Sequence, residues 1–147
     1  MKTPKLLWLF AGFTVVAVIG VAVYRSQSIP VTPQPVAWDR ETCAECRMLI
    51  SDHRYAAQIQ TADGRVLNFD DPSCLMNYAL REHPKVHAVY FHDSASERWL
   101  SAQQAAFLQN AATPMGHGLA AVAAGTPNAI TYPQAVQKLK DQNAEGK

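Results

Sequence analysis

An α+β fold with small mixed sheets, set behind one N-terminal membrane-spanning helix, is what this sequence predicts. Three observations carry the prediction. An apolar run covers residues 6–23, a proline-rich stretch follows it, and short strand-like and helix-like runs then alternate to the C-terminus. The 147 residues are enough for one ordinary domain.

The run over residues 6–23 is interrupted only by Gly12, Thr14 and Gly20. As a helix it reaches about 27 Å, enough for the hydrocarbon layer of a membrane. Lys2 and Lys5 precede it and only Arg25 follows closely, so the positive-inside bias keeps the N-terminus in the cytoplasm and exports the rest. Residues 1–25 are therefore expected to be an uncleaved anchor. A cleaved signal peptide is the alternative, with Gly20-Val21-Ala22 as a weak cleavage site. Residues 26–37, with three prolines in SQSIPVTPQP, read as an extended tether that holds the domain off the membrane.

The folded domain is expected over residues 38–141, with a disordered tail at 142–147. Residues 55–60 and 65–69 read as strands joined at Asp63-Gly64, a strong hairpin signal. Asp70, Asp71 and Ser73 around Pro72 supply capping chemistry for a helix running to about Arg81, with Leu75, Met76, Tyr78 and Leu80 on its apolar face. Residues 86–91 follow Pro84 as a buried strand. After a polar turn, Trp99-Leu100 begins a weaker repeat of the order strand, strand, helix, strand. In that repeat, residues 105–108 are open to either assignment, residues 119–124 are apolar, and a helix at about 133–140 closes the chain.

Charge excludes one large class of function. From residue 26 onward the formal charge is −2, with acids and bases interspersed, so no basic stripe offers itself to nucleic acid. No nucleophile elbow, phosphate-cradling glycine loop or paired-carboxylate arrangement is present either, so no hydrolase or phosphoryl-transfer signature argues for an enzyme.

The chemistry lies in sulfur. Cys43-Ala-Glu-Cys46-Arg-Met48 puts two thiols and a thioether within six residues, and Pro114-Met115-Gly116-His117 holds a second thioether. Zinc takes Cys and His and has little use for Met, whereas Cu(I) prefers thiolate and thioether. On an extended segment Cys46 and Met48 would share one face and converge on one ion. Met48 read as core filler, and Met115 as a plug for the core, are the plainer alternatives. Cys43 and Cys74 are candidate secondary ligands or redox groups, and His117 is an accessory donor or simply exposed. The position of Cys74 at the start of the helix is expected to favour its thiolate. Asp70 and Asp71 read as a cap and a first-turn charge. Two other chemistries use the Cys43–Cys46 spacing: a thiol–disulfide oxidoreductase, and a structural zinc module completed by Cys74 and a histidine.

These pieces, in this order and spacing, resemble NosL, the copper-binding accessory family of nitrous oxide reductase. The matching segments are Cys43–Met48, Asp63-Gly64, Phe69-Asp70-Asp71-Pro72-Ser73-Cys74, Trp99 and Pro114-Met115-Gly116-His117-Gly118. The resemblance implies an exported, membrane-tethered Cu(I) metallochaperone of the bacterial inner membrane, facing the periplasm and built from two related ββαβ units. Its copper acceptor would be nitrous oxide reductase, with a membrane transporter of the same maturation pathway as a further partner. The resemblance raises Cys46, Met48 and Met115 to the leading ligand set. Three departures are visible: no lipid-attachment cysteine ends the apolar run, Arg47 stands where the motif has glycine, and the C-terminus is short for a last strand.

Overall fold

The computed structural model describes residues 13–21 and 29–146. Residues 13–21 are helical and exposed. Among the described residues no helix is long and apolar enough to cross a membrane, and the remainder of the expected span lies outside them.

The Asp63-Gly64 hairpin organises the first sheet. Gly64 adopts φ +85°, a conformation free of strain only for glycine, and its N–H donates to the Thr61 carbonyl at 2.9 Å. The turn joins β1 (Ala57–Thr61) to β2 (Val66–Phe69) with Ala57 opposite Phe69. A short 3-10 turn, His53–Tyr55, precedes β1. Helix α1 (Pro72–Glu82) starts where Asp71 accepts from the Ser73 N–H at 2.8 Å, with Pro72 in the first turn, where a missing N–H costs nothing. It stops at His83, a left-handed residue whose N–H caps Ala79, just before Pro84. Strand β3 (Val86–His92) then pairs with the far side of β1, and β4 (Trp99–Ser101) adds an edge.

The order of this sheet is β2-β1-β3-β4, and every pairing is antiparallel. The second sheet, β6-β5-β7, is antiparallel as well, from β5 (Ala105–Leu108), β6 (Ala120–Ala123) and β7 (Ile130–Thr131). The expectation of mixed sheets is thus corrected. A helical crossover makes β2 and β3 run the same way, but β1 lies between them and separates the one parallel pair.

The two units are related but unequal. In the first, the strand after the helix sits beside β1. In the second, β7 takes the equivalent place beside β5 but precedes helix α2 (Tyr132–Ala144), and no strand follows among the described residues. Trp99-Leu100, expected to open the second unit, belongs instead to the edge of the first sheet. Helix α2 begins where Gln134 accepts from the Thr131 N–H at 2.8 Å, and it continues past the expected end near Lys140. One core joins the two sheets. Ile59, Phe69, Leu75, Phe91, Phe107, Leu119 and Leu139 are all fully buried, and Phe91 meets Phe107 edge to face at 4.9 Å.

Residues 31–36 do not stand off from the domain. They lie against the outer face of the first sheet, where Gln58 accepts from the Gln34 N–H (2.8 Å) and donates to the Gln34 carbonyl (3.0 Å). Gln60 donates to the Thr32 carbonyl (2.6 Å), and the Tyr90 hydroxyl donates to the Val31 carbonyl (2.7 Å). Val36 ends the segment in the core.

Candidate metal centre

The Cys43–Met48 segment is a tight turn rather than an extended strand. Thr42 and Leu49 form a bridge, the Cys43 N–H donates to the Met48 carbonyl (2.8 Å), and the Arg47 N–H donates back to the Cys43 carbonyl (3.1 Å). Closing four residues this way needs a left-handed residue at the fourth, and Arg47 supplies it with φ 67°. The shared-face geometry expected for Cys46 and Met48 is therefore corrected, because a strand's alternation does not survive a residue at positive φ.

Two contacts fix this turn against the corner between β2 and α1. The Ala44 N–H donates to the Asn68 carbonyl at 2.9 Å, and Glu45 forms an ion pair with Arg81 of α1. That corner carries Asp70, just after β2, and Cys74, in the first turn of α1. The result is a cluster in which one ligand atom each from Cys43, Cys46, Cys74 and Asp70 lies within 4.8 Å of every other. All three thiols are free. The Cys46 thiol donates to Asp70 Oδ1 at 3.3 Å, while Asp70 Oδ2 is buried without a hydrogen-bond partner. Buried carboxylate oxygens rarely go unpartnered, and a cation among these donors would satisfy it. Four ligands about 2.3 Å from one ion lie about 3.8 Å apart in a tetrahedron, so closing the cluster on one ion takes a contraction of up to about an ångström.

The three thiols are electrostatically unequal. Cys43 is fully buried, yet its pKa falls to about 7. The Cys74 thiol donates to it, and main-chain hydrogen bonds at Cys46 and Asp70 add to that, while burial and the Asp70 side chain oppose them. Cys46 is pushed up to about 12, chiefly by desolvation, with the neighbouring Cys43 and Asp70 adding to the shift. Cys74 is pushed up strongly because its proton is shared with Cys43 and its site is desolvated. The expectation that the helix N-terminus favours a Cys74 thiolate is corrected: of the three thiols, Cys43 is the one whose ionisation is favoured.

Of the remaining sequence candidates, Met48 belongs to the same hairpin and Met115 to a loop tied to Asp71. Met48 is 46% exposed, and its main chain hydrogen-bonds the Cys46 sulfur. Met115 is half-buried, and its N–H donates to Asp71 Oδ2 at 3.2 Å, which anchors the Pro114–Gly118 loop beside the cluster. His117 is half-buried and is not a member of the cluster. Asp70 is the residue that sequence reasoning missed. Its signal was the Asp70-Asp71 pair itself, because a helix start has use for one such cap and Asp71 provides it.

The NosL family model matches residues 35–134, more than half of the chain. The chain belongs to the NosL family. The crystal structure of the copper chaperone NosL from Shewanella denitrificans is similar with a TM-score of 0.52 and 17% identity, covering 77% of this chain and 89% of that one. At that identity the likeness is one of fold. No curated protein matches in sequence.

Proposed function

We propose that this NosL-family protein is a Cu(I) carrier rather than an enzyme. It is exported, tethered by its N-terminal apolar segment to the bacterial inner membrane with its domain in the periplasm. It delivers copper for the copper–sulfur centre of nitrous oxide reductase, with a membrane transporter of the same pathway as a second partner. The observation that supports the reading is the cluster of three free thiols in a NosL-family domain, with Met48 in the same hairpin and Met115 tied by its main chain to Asp71. Thioethers contribute little to zinc and much to Cu(I).

Cys46, the least buried thiol, is the entry ligand. Met48 and Met115 complete a soft site around it, and Cys43 and Cys74 lie behind it, with Cys43 the thiol that ionises most readily. Only one of the thiols is ionised near neutral pH, so loading of Cys46 releases a proton. The thioethers need no deprotonation and exchange readily. An acceptor's ligand then attacks the copper before the carrier's thiolate leaves, and no free ion forms.

The Cys43–Cys46 pair is a poor oxidoreductase centre. It sits in a hairpin turn with Cys43 fully buried, whereas redox CxxC pairs sit at helix N-termini with one thiol accessible. The four-donor set of three Cys and one Asp does favour a second reading, a structural zinc site. X-ray absorption of the Cu(I)-loaded protein tests the choice. An all-sulfur shell that shrinks in Met48→Ala, Met115→Ala supports the carrier. Zinc retained through purification, with loss of fold on chelation, supports the structural site.

A further inference from the structure

The contact between residues 31–36 and the first sheet has a direction. Thr32 is held by Gln60 and Gln34 by Gln58, so the segment runs antiparallel to β1, two residues for two, from its end towards its start. It enters at the end of the sheet formed by Thr61, the Asp63-Gly64 turn and Lys85, whose carbonyl accepts from Ala62. It leaves at the other end, through Val36 into the hairpin that carries Cys43 and Cys46. Gln58 passes the connection inward, since its amide donates to Asn68 (2.7 Å) and the Asn68 amide donates to Glu41 (2.7 Å).

We infer that this strap fixes how the protein meets its partners. The end of the sheet near Lys85 faces the membrane, and the thiol cluster is presented at the opposite end, to a water-soluble copper acceptor rather than to one embedded in the bilayer. The inference rests on the proposed membrane anchor and deepens it. Only nine residues lie between the helical residues 13–21 and Val31, a reach of at most about 35 Å. The first point at which the domain is held is Tyr90 and Gln60, not the metal hairpin. Along β1 and on to Asp70, the cluster lies roughly 15 Å farther out than that point. A freely swinging tether would have no use for two fully buried glutamines whose amides are spent on its main chain.

The test places a fluorescent amino acid at Lys85 or at Arg47 in the full-length chain. The protein is reconstituted in phosphatidylethanolamine–phosphatidylglycerol vesicles that carry an acceptor dye on the lipid headgroup. Energy transfer from position 85 is expected to exceed that from position 47 by about twofold, given a separation of roughly 15 Å. The difference should collapse in Gln58→Ala, Gln60→Ala. It should persist, with both signals reduced, when a flexible insertion follows residue 28 and leaves the strap docked. Equal transfer at the two positions in vesicle-bound protein, or greater transfer from position 47, overturns the orientation and leaves the anchor standing. A chain that fails to float with the vesicles overturns the anchor, and the orientation with it.

Discussion

Removing the Cys74 thiol should return the charge of the cluster to solution control. In Cys74→Ala the largest influence lowering Cys43 is gone, while burial and the Asp70 side chain still push it upward. The Cys43 midpoint then moves from about 7 to its ordinary 9.0 or above. Two pKa units correspond to about 2.7 kcal/mol. Near pH 8 the thiolate fraction should fall from about nine-tenths to about one-tenth. The truncation itself costs about 1 kcal/mol, so the variant folds. The assay is anaerobic titration of the metal-free protein, following the ultraviolet absorbance of thiolate. Cys74→Ser serves as the control, because its hydroxyl can donate in place of the thiol and should keep the midpoint low. A midpoint that stays near 7 in Cys74→Ala would refute the assignment of Cys74 as the donor that holds the charge on Cys43.

Four further outcomes follow from the same geometry. Cys43 is lowered on folding, so its contribution is complete above its unfolded value of 9.0 and is lost as pH falls through about 7. Cys46 and Cys74 are raised, so theirs is lost above about 9. The reduced apo-protein should gain up to about 1.4 kcal/mol per pH unit between these limits and weaken above them, in denaturant melts; a flat profile would count against the paired thiols. Arg47→Gly should raise the melting temperature by relieving a left-handed residue, for a gain of up to about 1 kcal/mol, and a lower melting temperature would contradict that. Glu45→Ala breaks an ion pair whose arginine is exposed, and should cost only about 0.2–1 kcal/mol by chemical denaturation. Gln58→Ala leaves buried groups of Asn68 and Gln34 unpartnered. It should cost about 2–3 kcal/mol and raise amide exchange over residues 31–36, whereas unchanged exchange would mean the segment is held by other contacts.

Local chemistry made part of this fold readable. Gly64 announced its turn because only glycine is free at that φ, and Asp71-Pro72 announced the start of α1 because a cap and a proline fit only there. The turn at Cys43–Met48 was hidden because its left-handed residue is Arg47, which carries none of the usual turn signal. Gln58 and Gln60 alternate with Ala57 and Ile59 as a solvent-facing row would, yet residues 31–36 cover them and bury their amides. The two-residue β7 is too short to show a period, and the edge strand at Trp99 is placed by β3 rather than by its own sequence. In the metal centre, sequence identified the sulfur atoms. It could not show that the thiols of the hairpin and of α1 meet, nor that a buried Asp70 oxygen would lie among them unpartnered.

The most direct measurement is an anaerobic Cu(I) titration against a competing chelator, on the parent chain, Cys46→Ser and Met48→Ala, Met115→Ala. The account predicts tight binding by the parent, a loss of at least about a hundredfold in Cys46→Ser and about tenfold or more in the methionine pair. Parent-like affinity in both variants would contradict it, since copper would then be held by groups outside the soft site at this hairpin.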